Sequence, residues 1–169
     1  MYLKGNFAFY DRKIYLYLLL LINDYKMRKA KYGSTSLLED VPEQISDSQV
    51  LYFLQTKDVN WRYVNTIKEL THFNDDVISD WLNISVRTFR TYRQPKNKFK
   101  ENVKEHILLL LSLIKQGIQV FGTTQEFEQW LNTKNFYFDS KNPIVYLNTV
   151  TGIRFVGDRL TAMEYGDNA

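Results

Sequence analysis

The sequence predicts an all-α fold: an N-terminal helical arm, a bundle of short helices, a long connecting helix and a small helical C-terminal domain. Three observations point there. Apolar side chains recur at helical spacing from residue 59 to the end. Gly and Pro number only 7 and 3 in 169 residues, too few for a turn-rich all-β chain. Most candidate helices follow a residue able to cap them, namely Asn74, Ser85, Thr123 and Thr149.

At the N-terminus, residues 14–22 read IYLYLLLLI. This run falls short of the ~20 apolar residues needed to span a bilayer. No small residues suited to signal cleavage follow it. Three readings remain open: a buried helix, a translation artefact upstream of a true start at Met27, or a membrane anchor. Residues 33–48, with Gly, Ser, Pro and several acidic or amide side chains, read as a linker or irregular arm.

From residue 59 to 73, Trp61, Val64, Ile67 and Leu70 lie on one helical face. Asn74 caps a second helix with the stripe Val77, Ile78, Trp81 and Leu82. Asn83 then supplies a residue that tolerates the left-handed conformation of a tight turn. Ile84 plugs the core, and Ser85 caps a third helix over 86–93. On that helix Arg87, Arg90, Thr91 and Gln94 project to one side, while Val86 and Phe89 project toward the first two helices. An apolar back and an arginine/amide front suit a helix that reads base edges. The three helices together read as a helix-turn-helix.

The charge distribution agrees. Residues 85–120 carry 8 basic and 2 acidic side chains, whereas the flanking segments 59–84 and 121–169 are each net negative. Lys96, Lys98, Lys100 and Lys104 extend the positive surface for phosphate contact. The expected DNA contacts are Ser85, Arg87, Thr88, Arg90, Thr91, Gln94, Lys96 and Lys98.

After Pro95 a long helix runs over 100–120. Leu108, Leu109 and Leu113 widen its apolar set beyond one face, so it must lie between two layers or against a second copy of the chain. A homodimer is therefore expected. Gly122 stops this helix. Thr123 and Glu126 stand at capping-box spacing before Phe127, Trp130 and Leu131. Residues 135–138 read as a loop or short extended piece. Pro143 opens a short helix, and Thr149 caps a last helix carrying Ile153, Val156, Leu160 and Met163. Gly152 and Gly157 allow another backbone to come close to it.

Catalytic chemistry is poorly supported. There is no cysteine, and the two histidines, His72 and His106, are far apart in sequence. His106 reads as a structural or surface residue rather than a ligand. No acid/base pair or metal cluster is visible, and Asp75 and Asp76 read as charges at a helix N-terminus. The expectation is a protein that is not an enzyme and needs no cofactor.

The ordered series Phe121-Gly122, Trp130-Leu131, Asn142-Pro143, Thr149, Gly152, Val156, Leu160 and Tyr165-Gly166 resembles the toxin-binding domain of Xre/MbcA/ParS antitoxins. The stretch ISDWLNISVRTFRTYR at 78–93 is similar to the Xre-like helix-turn-helix of the same antitoxins. The resemblance spans residues 59–169. Asn83 stands where that family usually has Gly, and Ser79 where it has Ala. Residues 1–58 then form an N-terminal extension, 59–120 the helix-turn-helix domain with its long helix, and 121–169 the toxin-binding domain.

The resemblance implies a cytoplasmic type II antitoxin with no membrane partner. Such an antitoxin dimerises, covers the active site of an NAD-degrading RES-domain toxin and represses its own promoter. It implies toxin contacts at Arg159, Tyr165, Gly166, Asp167, Asn168 and Ala169. Tyr165 can also pack inward on Trp130. The alternative reading is a plain helix-turn-helix regulator whose C-terminal domain only dimerises or senses a ligand.

Overall fold

The caps expected from sequence start the helices. Asn74 Oδ1 accepts the Val77 N–H at 3.0 Å, and Ser85 Oγ accepts the Thr88 N–H at 3.1 Å. Thr123 Oγ1 accepts from Glu126 N at 3.2 Å, and Thr149 Oγ1 from Gly152 N at 3.0 Å. Each bond satisfies one of the backbone donors that a helix start leaves open. Asn60, which the sequence reading passed over, does the same for Arg62 N at 3.0 Å.

The computed structural model describes residues 35–42 and 46–166. The apolar run at 14–22, the start at Met27 and the tail residues Asp167, Asn168 and Ala169 lie outside the described residues. In chain order the helices are α1 (Thr35–Asp40), α2 (Asp47–Thr56), α3 (Trp61–Leu70), α4 (Asp75–Trp81), α5 (Val86–Thr91), α6 (Glu101–Phe121), α7 (Thr124–Leu131) and α8 (Val150–Glu164). Two 3-10 turns, Phe136–Phe138 and Pro143–Tyr146, lie between α7 and α8. Among the described residues there is no strand, and the fold is all-α. No single described helix is long and apolar enough to cross a membrane.

α6 is the axis of the fold. Leu108, Leu109, Leu110, Leu111 and Leu113 are each fully buried, under α2, α3, α7 and α8. At ~1.5–3 kcal/mol for each buried side chain, this helix supplies a large share of the hydrophobic stabilisation. Its apolar width is thus consumed within one chain. It calls for no second copy, and any homodimer must use another surface. Polar groups on α6 fix its neighbours. Ser112 Oγ donates to Pro42 O at 2.6 Å and Lys115 Nζ to Val41 O at 3.1 Å, docking the segment after α1. Gln116 Nε2 donates to Thr161 Oγ1 of α8 at 2.8 Å. The stretch 33–48, expected to be irregular, therefore includes a short helix and a segment tied to the core.

Several other elements differ in detail from expectation. The third helix ends at Thr91 rather than 93, because Pro95 disfavours helix just before it. Tyr92, Arg93 and Gln94 instead donate to carbonyls three residues back. Residues 135–138 form a 3-10 turn capped by Asn135, whose backbone bridges to Lys141. Asn83 adopts the left-handed conformation expected of it, with φ 52°. Gly152 is required by contact: a Cβ there would stand 1.9 Å from the Tyr146 carbonyl oxygen.

Candidate interaction surfaces

The first surface is the face of α5. Phe89, fully buried, anchors the helix, its ring 5.0 Å from that of Trp61. With Phe89 inward, Arg87, Thr88, Arg90 and Thr91 are exposed, and Gln94, Lys96 and Lys98 follow exposed in the next turn. The three hydroxyls are already engaged locally. Ser85 Oγ caps the helix and shares a 2.9 Å bond with Thr88 Oγ1, while Thr91 Oγ1 donates to Thr88 O at 2.7 Å. Arg87, Gln94, Lys96 and Lys98 make no side-chain hydrogen bond or ion pair among the described residues.

Arg90 is held by a residue the sequence reading treated as a simple helix-terminal charge. Asp75, in the first turn of α4, accepts from Lys68 Nζ of α3 at 2.6 Å. Its other oxygen takes Arg90 Nε of α5 at 3.4 Å and the Arg93 guanidinium. The hydrogen bond from Lys68 is the largest influence holding this carboxyl below its ordinary value, joined by the charges of Lys68 and Arg93. One carboxylate therefore ties α3, α4 and α5 together and sets where two arginines point. No spacing rule reveals this, because Arg90 and Arg93 lie 15 and 18 residues from Asp75.

The second surface lies on the C-terminal helices. Phe138 is buried at the hub of a ring cluster, 5.9 Å from Trp130, 5.6 Å from Tyr146 and 5.0 Å from Phe155. Burying Phe138 turns its neighbours outward. Phe136 is 87% exposed and Tyr137 38%, on a turn that ends in left-handed Asp139 and Ser140. Phe155 on α8 is 44% exposed, and Val145 on the second 3-10 turn 54%. Arg159, one turn beyond Phe155, is nearly buried, its guanidinium 3.5 Å from the centre of the Tyr137 ring. These residues make an exposed aromatic face of the kind that marks protein interfaces.

The expected tail contacts fare differently. Tyr165 is 81% exposed and does not pack inward on Trp130. Gly166 has φ 92° and donates its N–H to Met163 O, so it terminates α8. The aromatic face was missed from sequence because residues 135–138 read as a loop or short extended piece. The available signal was a run of three aromatics, Phe136-Tyr137-Phe138, of which a turn buries only one.

His106 serves structure, as its place on the long helix suggested. It is buried, and its Nε2–H donates to Leu147 O at 2.9 Å, joining α6 to the segment after the second 3-10 turn. Burial holds this imidazole below its ordinary value of 6.5. His72 bridges the end of α3 to α7: its N–H donates to Glu128 Oε1 at 2.8 Å and its Nδ1 lies 3.1 Å from Oε2.

Residues 116–166, from the last turns of α6 through both 3-10 turns to the end of α8, match the family model of the antitoxin Xre/MbcA/ParS C-terminal toxin-binding domain. A search of curated proteins gives no match. The aromatic face and Arg159 lie within the matched segment. This helical segment is thus similar to the toxin-binding domain of those antitoxins. The match covers the C-terminal part of the chain, under a third of its 169 residues.

Proposed function

We propose that this antitoxin neutralises an NAD-degrading RES-domain toxin by laying the Phe136–Tyr137–Phe155 face over the toxin's active site, with Arg159 and Tyr165 at its border. The observation that carries this reading is the aromatic face itself. Three large rings stand wholly or partly exposed within the segment that matches the toxin-binding domain. Aromatic anchors with an arginine are the usual makings of a binding hot spot. The RES identity of the partner rests on the family resemblance. The protein acts by binding rather than catalysis.

The same protein represses its own promoter through α5. Arg87, Arg90 and Gln94 approach base edges, and Lys96 and Lys98 contact phosphates. Two copies are needed to read a symmetric operator, with half-sites about 34–36 Å apart. Residues 59–120 then serve DNA and residues 121–169 the toxin, in a cytoplasmic complex.

Co-expression of the tagged protein with a cognate RES-domain toxin tests the reading. A stable complex with NAD hydrolysis silenced is expected. A free toxin that goes on consuming NAD in the presence of excess antitoxin would overturn it and leave the plain regulator standing.

A further inference from the structure

We propose that a cavity behind α5 binds a small aromatic anion, a flat ring carrying a phosphate or carboxylate. The cavity lies between residues 58–62, at the start of α3, and residues 92–99, after α5, with a volume of about 360 Å³. That falls in the ~300–1,000 Å³ range of small-molecule sites.

Its apolar wall is built of rings. Trp61 and Phe99 are nearly parallel, 23° between planes with centres 6.4 Å apart, and Tyr92 meets Phe99 at 4.4 Å. Its polar wall is cationic. Arg62 and Lys98 line it against a single carboxylate, Asp58, while the third cation of the lining, Arg93, is paired with Asp75. Among the described residues neither Arg62 nor Lys98 forms an ion pair. Arg93 stands 5.7 Å over the Trp61 ring.

The charge excess selects an anion, and the ring faces select a planar body. Arginine suits both, since its guanidinium stacks on rings and forks onto phosphate or carboxylate. A neutral ring satisfies only one wall, and a bare anion only the other. The cavity is also linked to α5. Arg93 pairs with Asp75, and Asp75 holds Arg90 of α5.

The test needs no DNA and no toxin, so it stands apart from the proposed function. The full chain is titrated with AMP, GMP and salicylate by calorimetry and tryptophan fluorescence. Saturable binding of AMP is expected, with Kd on the order of 100 µM. Adenosine and inorganic phosphate should each bind at least ~10-fold more weakly, having lost about 1.4 kcal/mol or more. The double variant Arg62→Ala/Lys98→Ala removes two exposed side chains, so its helical circular dichroism should match the wild type, while AMP affinity falls by ~10-fold or more. Absence of saturable binding by all three probes at millimolar concentration overturns the proposal. So does AMP binding that the double variant leaves unchanged.

Discussion

Replacing Asp75 with Asn removes one negative charge and keeps the shape. In the structure that charge receives Lys68, Arg90 and Arg93 and sits at the N-terminus of α4. The Lys68 bond is the best protected, with the carboxylate 12% exposed. A charge-assisted bond of this kind contributes about 1.5–3 kcal/mol, part of which the Asn oxygen retains. The two arginine arms are half-exposed and add at most ~1 kcal/mol each. The helix-dipole contribution is ~0.3–1 kcal/mol. Asp75→Asn should therefore cost about 2–3 kcal/mol, or a fall in Tm of roughly 6–12 °C for a unit of this size.

The sign of the pH dependence follows from the lowered carboxyl. The clamp is fully present above the ordinary value of 3.8 and is lost as pH falls through the lower folded-state value. Thermal unfolding followed by circular dichroism should show wild type and variant well separated at neutral pH and converging in acid. Equal Tm values at neutral pH would refute the clamp. A gap that stays constant into acid would show that the loss comes from shape rather than charge.

Three further outcomes are expected. Gly152→Ala forces a Cβ against the Tyr146 carbonyl and should cost ~1–3 kcal/mol or more, seen as a lower urea midpoint; an unchanged midpoint would contradict the close approach. His106 is neutral in the fold, so the unfolded chain takes up its proton first. Stability should thus decline as pH falls below 6.5 toward the folded-state value, and His106→Gln should flatten that decline in urea titrations. Arg87→Ala/Arg90→Ala should weaken promoter binding by ~1–3 kcal/mol per lost base contact in a gel shift. Arg90 also pairs with Asp75, so this variant should show a small stability loss besides; an unchanged shift would remove α5 as the reader.

What was legible in the sequence is what short spacing determines. Asn74, Ser85, Thr123 and Thr149 cap their own next turn, and Asn83 makes its own backbone bend. The burial of α6 on several sides was readable from its leucines, but the chain's own helices proved to be what covers them. Long-range partnerships were not readable. Asp75 meets Arg93 only once α5 has folded back on α4, and Ser112 meets Pro42 across 70 residues. Residues 135–138 carried the right residues for a hot spot, but only the left-handed turn at Asp139 and Ser140 decides which ring is buried and which two face out.

On the proposed function, the aromatic face captures the toxin. Phe136→Ala/Phe155→Ala tests it most directly, because Phe136 is 87% exposed and contributes little to folding, whereas Phe155 packs partly on Phe138 and Tyr146. The toxin affinity of this double variant should be measured beside Phe136→Ala alone, with Tm as the control for folding. Loss of about 2 kcal/mol or more, near 30-fold in Kd, is predicted for the double variant, together with failure to rescue cells expressing the toxin. Wild-type affinity in a folded double variant would contradict the account and move the contact to the tail beyond α8.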